Sequence, residues 1–275
     1  MLIGHDKLVT DFKRLADEGG LFHAYLFVGE KGVGKFSFAL ALGNYLEKGR
    51  FDLPGENEVL GELLIVRPEE KETIGIDQIR RIRYFLSEKP VRGTKRLVII
   101  DQAETLTDQA ANALLKVLEE PPESGLLALI AESAESVFRT IRSRTQVVYF
   151  GKAGEKEVAA WLAEEKGLKK AEAEKIAALS FGKPGAASRL SGEKGVTLAL
   201  AEEFLASQPK RSAIIRQLLD EEASVPEFLE DLLLLLRRSP QPEFKAMRAV
   251  TETMTRVMDY NVNKRLQLEA MAADM

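Results

Sequence analysis

The sequence predicts an α/β fold with a parallel sheet, followed by two helical domains. Over the first half of the chain, short apolar runs alternate with helical patterns, as in strands joined by crossover helices. Beyond about Gly151 the strand-like runs disappear, and Gly and Pro separate short helical segments. We therefore predict three domains: an α/β domain over 1–151, a small helical domain over 152–192 and a larger helical domain over 193–275.

Five short apolar runs are predicted as strands: Ala24–Val28, Leu63–Val66, Leu97–Ile100, Leu126–Ala131 and Gln146–Phe150. Helices are predicted between them, near Lys35–Glu47, Gly75–Ser87 and Asp108–Glu119. In the third helix the apolar residues recur at helical spacing, and Pro121-Pro122 ends it. Farther along, short helices are predicted over Glu155–Lys166, Lys170–Ser180 and Gly185–Leu190.

Composition excludes several classes of protein and site. The 275 residues include no Cys and only two His, so disulfides and thiolate zinc sites are impossible and no metal centre is expected. The longest apolar runs fall short of the roughly 20 residues that a membrane span needs. The amino-terminal residues lack the features of a signal peptide, so we expect a cytoplasmic protein. A net charge of -4 gives little support for tight nucleic-acid binding by the free chain.

The stretch GEKGVGKFSF, Gly29–Phe38, fits the phosphate-binding pattern G-x-x-x-x-G-K between a predicted strand and a predicted helix. Its candidate nucleotide-binding residues are Gly29, Gly32, Gly34 and Lys35. The next position should carry a Ser or Thr hydroxyl for Mg²⁺, but it holds Phe36, whose phenyl ring cannot ligate a hard cation. The pattern thus indicates a nucleotide fold whose chemistry is degenerate.

A second stretch, LVIIDQAETL, places Asp101 at the end of an apolar strand. Nucleotide-hydrolysing folds hold Mg²⁺ with an Asp at this position, and a Glu in the next position orients water. Here the next residue is Gln102, and an amide is a poor general base. Asp101 is a candidate residue of the degenerate site; the alternative is a simple turn residue at the strand end.

Four segments carry a family resemblance: HAYLFVGEKGVGK (23–35), TIGIDQIR (73–80), AANALLKVLEEPP (110–122) and TIRSRT (140–145). Together they resemble bacterial AAA+ clamp-loader subunits of the gamma, tau and delta-prime group of DNA polymerase III. The match extends to FGKPGAA (181–187) and to Asn261–Ala270, which resembles the last collar helix. The pattern N-A-L-L-K-x-L-E-E-P-P is quite specific to the family, whereas the glycine-rich loop alone is not.

The resemblance implies an AAA+ P-loop domain, a helical lid domain and a helical collar domain. An active motor of the family carries Ser or Thr at 36, Glu at 102 and a sensing Arg at 185, where this chain has Gly185; Glu132 occupies the first sensor position. The four-cysteine insert of many members is missing from Arg50–Glu62. These departures fit a delta-prime-like stator that does not hydrolyse ATP. Such a role requires no cofactor, and binding of ATP or ADP at the degenerate loop is left open.

The segment Ser143-Arg144-Thr145 matches the family's S-R-C segment, which presents an arginine to the ATP of a neighbouring subunit. The resemblance therefore implies that Arg144, with Ser143, acts in trans in catalysis. From the residues alone, Arg142 and Arg144 are better explained as a solvated helix end. Three arginines, Arg80, Arg81 and Arg83, either contact the DNA backbone or form an exposed basic face.

The implied partners are gamma or tau and delta subunits, with the sliding clamp and primer-template DNA in the same complex and no membrane. Two other hypotheses remain. The chain is an active gamma- or tau-like ATPase, or it is an inert adaptor whose helical tail is its only working surface. ATP turnover by the purified chain and the effect of removing Arg144 separate the three.

Overall fold

The computed structural model describes residues 2–55, 57–69, 72–192, 196–220, 224–239, 243–260 and 262–275. Within these ranges the chain forms a five-stranded parallel sheet and thirteen α-helices, which confirms the predicted α/β fold. Chain contacts divide it into two compact units, Met1–Val158 with Gly182–Gly185, and Ala159–Phe181 with Ala186–Met275. The division into three domains at the boundaries given above stays a prediction.

The first unit contains the sheet, in the strand order β2-β3-β4-β1-β5. Each predicted strand is present, with ends within one residue of those predicted. The elements are α1 (Asp6–Asp17), β1 (Ala24–Val28), α2 (Lys35–Lys48), β2 (Leu63–Val66), α3 (Ile76–Ser87), β3 (Arg96–Ile100), α4 (Asp108–Glu119), β4 (Gly125–Ala131), α5 (Arg139–Arg142) and β5 (Gln146–Tyr149).

Both faces of the central strands are buried. Alternate residues of β1, Ala24, Leu26 and Val28, belong to a core cluster that includes residues of α3 and α4. The intervening Tyr25 and Phe27 belong to a second cluster with residues of α1 and α2. A strand buried on both faces is apolar throughout, as is typical of parallel sheets covered by helices. This explains why continuous apolar runs located the strands.

A buried ion pair ties the starts of β2 and β3 to the end of α3. The Arg96 Nε atom lies 2.9 Å from Glu62 Oε2, and both side chains are almost fully buried. The same guanidinium donates to the Phe85 carbonyl oxygen (2.9 Å) and to Glu88 Oε2 (2.8 Å). Glu62 Oε1 accepts the backbone N–H of Val91 at 2.6 Å. The buried pair thus combines an ion pair with hydrogen bonds made by both side chains, which offset part of the cost of burying the two charges.

Two lysines fasten later segments of the first unit to the loop after β1. The Glu30 carboxylate lies 2.8 Å from Lys152 Nζ and 2.6 Å from Lys183 Nζ. The backbone N–H of Gly185 donates to the Gly32 carbonyl oxygen at 2.8 Å. Hydrogen bonds from Lys152 and then Lys183 lower the pKa of Glu30 from 4.5 to about 2.

Beyond Tyr149 the described residues form helices and no strand, as predicted. They are α6 (Glu155–Lys166), α7 (Lys170–Leu179), α8 (Pro184–Ser191), α9 (Val196–Ala206), α10 (Arg211–Asp220), α11 (Val225–Arg238), α12 (Phe244–Asp259) and α13 (Lys264–Asp274). Phe228 and Leu232 of α11 lie in the core of the second unit with residues of α9, α10, α12 and α13. Asn261, which opens the stretch compared with the collar helix, lies outside the described residues. No helix in the described ranges is long and apolar enough to cross a bilayer.

We expect Arg96→Ala to lower the free energy of unfolding by about 3 to 5 kcal/mol, because it leaves the Glu62 carboxylate buried without its cation. Urea unfolding at pH 7 measures the change. The exposed neighbour Arg92 provides the control, and Arg92→Ala should cost less than about 0.5 kcal/mol. Equal losses in the two variants would contradict the role of the buried pair.

We expect Glu30→Gln to lower stability by about 1 kcal/mol or less at pH 7, since the ion pairs are solvent-exposed. The folded-state pKa of Glu30 is depressed, so its stabilisation is fully present above pH 4.5 and is lost as the pH falls towards 2. Unfolding free energies of wild type and variant should therefore converge with acidification. The exposed Glu120→Gln should show no such convergence, and a constant gap for Glu30→Gln would count against the assignment.

Candidate functional site

The carboxyl ends of four parallel strands meet at one edge of the sheet. Strand β1 pairs with β4 so that Val28 lies opposite Ala131, and β2 pairs with β3 so that Val66 lies opposite Ile100. The residues that directly follow these strands are Gly29, Arg67, Asp101 and Glu132. The first, third and fourth were selected from the sequence, but Arg67 was missed. Its position after β2 is the signal that could have identified it, because ligands of open α/β sheets bind at this edge.

The phosphate loop, residues 29–36, closes around its own lysine. The Lys35 ammonium donates to the Gly29 carbonyl oxygen and, at 2.9 Å, to the Glu30 carbonyl oxygen. Gly32 and Gly34 have φ values of +87° and +104°, a region that side chains with a Cβ rarely adopt. The structure thus brings Gly29, Gly32, Gly34 and Lys35 together as the motif predicts, with the cation turned onto the loop's carbonyl groups.

A buried histidine supports the phosphate loop from α1's side of the sheet. His5 Nε2 donates to the Val33 carbonyl oxygen at 2.7 Å, and the ring lies edge-on to Phe150 with 4.9 Å between centroids. A Cβ at Gly34 would lie 3.4 Å from His5 Nε2. Because the two residues are 28 positions apart, no local sequence pattern predicts this hydrogen bond.

Carboxylates surround the Lys35 ammonium. Burial lowers its pKa, and the charges of four carboxylates offset this only in part. In order of decreasing effect they are Glu132, Glu104, Asp101 and Glu30. Glu132, which follows β4, and Asp101, which follows β3, therefore both act on Lys35. A cradle for a polyanion normally presents excess positive charge, whereas here carboxylates offset the charge of the loop lysine.

The residues expected to hold Mg²⁺ are engaged with Arg67. The Arg67 guanidinium lies 4.3 Å from the centroid of the Phe36 ring, and its Nε atom is 3.3 Å from Asp101 Oδ2. Within the described residues, no three His, Asp or Glu side chains form a set that could ligate a metal ion. The residues present do not fit the Mg²⁺ that a complete phosphate loop uses.

Gln102 occupies the position of the water-orienting Glu, and its backbone is left-handed (φ 58°, ψ 55°). Its carbonyl oxygen accepts Thr105 N (2.9 Å) and Thr105 Oγ1 (2.7 Å). At the position of the sensing Arg, a Cβ on Gly185 would lie 3.0 Å from Gly32 Cα. Neither position provides the group that an active motor carries, and Gly185 leaves little room for a side chain.

Arg144 lies just beyond α5, on the surface of the first unit. Its Nη2 atom is 2.8 Å from Glu119 Oε1 at the end of α4, and Nη1 donates to the Thr140 carbonyl oxygen (3.0 Å) and Ser143 Oγ (3.3 Å). The side chain is 37% exposed. Ser143 Oγ in turn donates to the Thr140 carbonyl oxygen at 3.0 Å, so Ser143 positions Arg144. Glu119 was not identified from the sequence.

The three arginines of α3 lie on its exposed face. Arg80 pairs with Asp77 at 2.7 Å, and Arg81 pairs with Glu69 at 2.8 Å. Arg83 is also exposed. Acidic partners on the same surface reduce the local positive charge.

Curated relatives are bacterial DNA polymerase III subunits. The Escherichia coli delta' subunit is 37% identical over 124 residues, which is 45% of this chain and 37% of the relative. The delta' subunit of Pseudomonas aeruginosa is 33% identical over 187 residues, or 62% and 56% of the two chains. A gamma/tau subunit of Mycobacterium tuberculosis is 31% identical over 155 residues, or 52% and 27%. The chain thus spans less than two thirds of the length of each of these relatives.

Solved structures share the fold. A DNA polymerase III gamma subunit-related protein from Thermotoga maritima gives a TM-score of 0.64 at 24% identity, covering 96% of this chain and 97% of the other. The Thermotoga maritima RuvB branch migration motor gives 0.53 at 16% identity, covering 98% and 81%. A family model described as "DNA polymerase III, delta subunit" matches residues 4–154, more than half of the chain. The chain therefore belongs to this DNA polymerase III family.

Proposed function

We propose that the chain is a delta-prime-like stator of a DNA polymerase III clamp loader. In this role it hydrolyses no ATP itself, supports ATP-driven loading of a sliding clamp on primed DNA and supplies Arg144 in trans to the ATP of a neighbouring subunit. The observation that carries the proposal is a contrast within one unit. The phosphate loop has a phenyl ring where a metal ligand is needed, whereas Arg144 is partly exposed and is held at the surface.

Arg144 has the chemistry for this role. A guanidinium is permanently charged and offers a rigid fork of donors that matches phosphate oxygens. Charge grows on the γ-phosphate oxygens during transfer, and an arginine delivered from a neighbour stabilises it. The family resemblance places S-R-C arginines at such a boundary, and Ser143-Arg144-Thr145 occupies that position here.

The resting contacts of Arg144 are compatible with exchange. Its ion pair with Glu119 is partly solvent-exposed, with side chains 37% and 50% accessible. Exposed pairs of this kind contribute about 0.2 to 1 kcal/mol, so a phosphate oxygen of higher charge can replace the carboxylate. The contacts to Thr140 and Ser143 keep the side chain extended along the end of α5.

The proposed partners follow from the relatives. The curated matches are delta' and gamma/tau subunits, so gamma or tau and delta subunits are the expected neighbours, with the clamp and primer-template DNA in the same assembly. Arg80, Arg81 and Arg83 are candidates for a DNA-backbone contact. Such a contact would be sequence-neutral and would weaken with salt.

A gamma- or tau-like ATPase is the alternative. It has Lys35 and Asp101 in its favour, together with the sequence match to gamma/tau. Phe36 and Gln102 stand against it, since a phenyl ring cannot ligate Mg²⁺ and an amide is a poor general base. No cofactor is required by the stator role, and ATP or ADP at the loop would have no catalytic part in it.

We expect Arg144→Ala to reduce ATP hydrolysis on the neighbouring subunit. Trans-acting arginines contribute about 10³ to 10⁵ in rate where they have been measured. The chain is assembled with its gamma- or tau-type and delta-type partners. The phosphate-loop lysine is removed from every partner except the subunit that faces Arg144, so that ATP hydrolysis by the partners reports on that one site. Steady-state ATP hydrolysis on primed DNA and clamp loading are then recorded. The kcat at that site should fall by at least about 100-fold; this threshold is set lower than the range above because other positive charges near the phosphate keep part of the effect.

Arg142→Ala is the matched control, because Arg142 is 35% exposed against 37% for Arg144 and also pairs with a glutamate. It should leave kcat within about twofold of wild type, as expected for a surface change. Normal hydrolysis and loading by an intact Arg144→Ala complex would favour the inert adaptor. Turnover by the isolated chain, abolished by Lys35→Ala, would favour the ATPase.

A further inference from the structure

One cation contacts both positions that should ligate magnesium in the phosphate loop. In the complete motif, a hydroxyl at position 36 and an Asp that follows another strand of the same sheet hold the metal. Here the Arg67 guanidinium lies 4.3 Å from the Phe36 ring centroid and its Nε lies 3.3 Å from Asp101 Oδ2. A phenyl ring cannot ligate a metal, but its face attracts a cation within about 6 Å.

The two replacements are chemically complementary. Phe36 alone would remove a metal ligand and leave the Asp101 carboxylate, whose side chain is only 20% exposed, without the ion-pair partner that Arg67 provides. Arg67 alone, beside a hydroxyl at 36, would compete with a divalent ion for the same carboxylate and repel it. With both present, the Arg67 guanidinium contacts both the Phe36 ring and the Asp101 carboxylate, so each of the three groups has a partner.

Most charges around the loop already have partners. Lys35, Arg67, Lys152 and Lys183 supply four positive charges that are engaged in hydrogen bonds or ion pairs, and the exposed Lys31 supplies a fifth. The carboxylates acting on Lys35 are those of Glu30, Asp101, Glu104 and Glu132, which supply four negative charges. A triphosphate brings several further negative charges, which one exposed lysine offsets only in part when no metal ion is bound.

We propose that Arg67 is a built-in substitute for the divalent cation and that, with Phe36, it determines the exclusion of magnesium nucleotides from this chain's own phosphate loop. The proposal goes beyond the stator role, because it concerns a specificity-determining residue in the chain's own site. It is independent of whether Arg144 acts in trans, and the two are tested on different molecules.

The test removes the two side chains separately and together. Wild type, Phe36→Thr, Arg67→Ser and the double variant F36T/R67S are titrated as isolated full chains with a fluorescent ATP analogue, once with Mg²⁺ and once with EDTA. Wild type and both single variants should show no magnesium-dependent binding. The double variant should bind at least about tenfold more tightly with Mg²⁺ than with EDTA, a difference of about 1.4 kcal/mol.

F36T/R50S is the matched control. Arg50 is 56% exposed against 53% for Arg67, and it too pairs with one carboxylate. Circular dichroism and thermal unfolding establish that every variant is folded. The proposal is overturned if wild type binds the analogue more tightly with Mg²⁺, if F36T/R50S gains the same affinity, or if folded F36T/R67S gains none. None of these outcomes affects the test of Arg144, because that assay measures ATP hydrolysis by the neighbouring subunit.

Discussion

The parallel sheet imposes the constraint on which the rest of the structure depends. Because β1 to β4 all run in one direction, the residues that follow them, Gly29, Arg67, Asp101 and Glu132, meet at a single edge. Burial of both sheet faces fixes this register, since a slip by one residue would turn apolar side chains into the wrong layer. The loop glycines then follow β1 at the point where helix α2 begins.

The fold preserves the geometry of a nucleotide site while the side chains change its chemistry. A cation still lies beside Asp101, but it is the guanidinium of Arg67, and a ring replaces the hydroxyl at position 36. The end of α5 is a separate surface, where Arg144 is held by Glu119 and Ser143. The missing metal-ligating hydroxyl at one place and the phosphate-matched side chain at the other together favour the proposed contributory role in a larger assembly.

Sequence patterns predicted what is local or periodic. Strand ends were predicted within one residue because the strands read as short apolar runs, and β1, β3 and β4 are buried throughout. The loop was found because its glycines and lysine fit the phosphate-binding pattern, and Gly32 and Gly34 have the positive φ angles that favour glycine. Long-range partners were not predicted. Arg67 meets Phe36 and Asp101, and Glu119 meets Arg144, across intervals of 25 residues or more. Local periodicity carries no information on such contacts, so these side chains appeared as ordinary surface charges.

The most direct measurement is a structure of the assembled complex with a non-hydrolysable ATP analogue. The account predicts that a guanidinium nitrogen of Arg144 lies about 3 Å from a γ-phosphate oxygen in the neighbouring subunit, a normal hydrogen-bond distance. It also predicts that Arg67 still contacts Asp101 and that no magnesium nucleotide occupies this chain's phosphate loop. A magnesium nucleotide in that loop, with Arg144 still bound to Glu119 and remote from any phosphate, would contradict it.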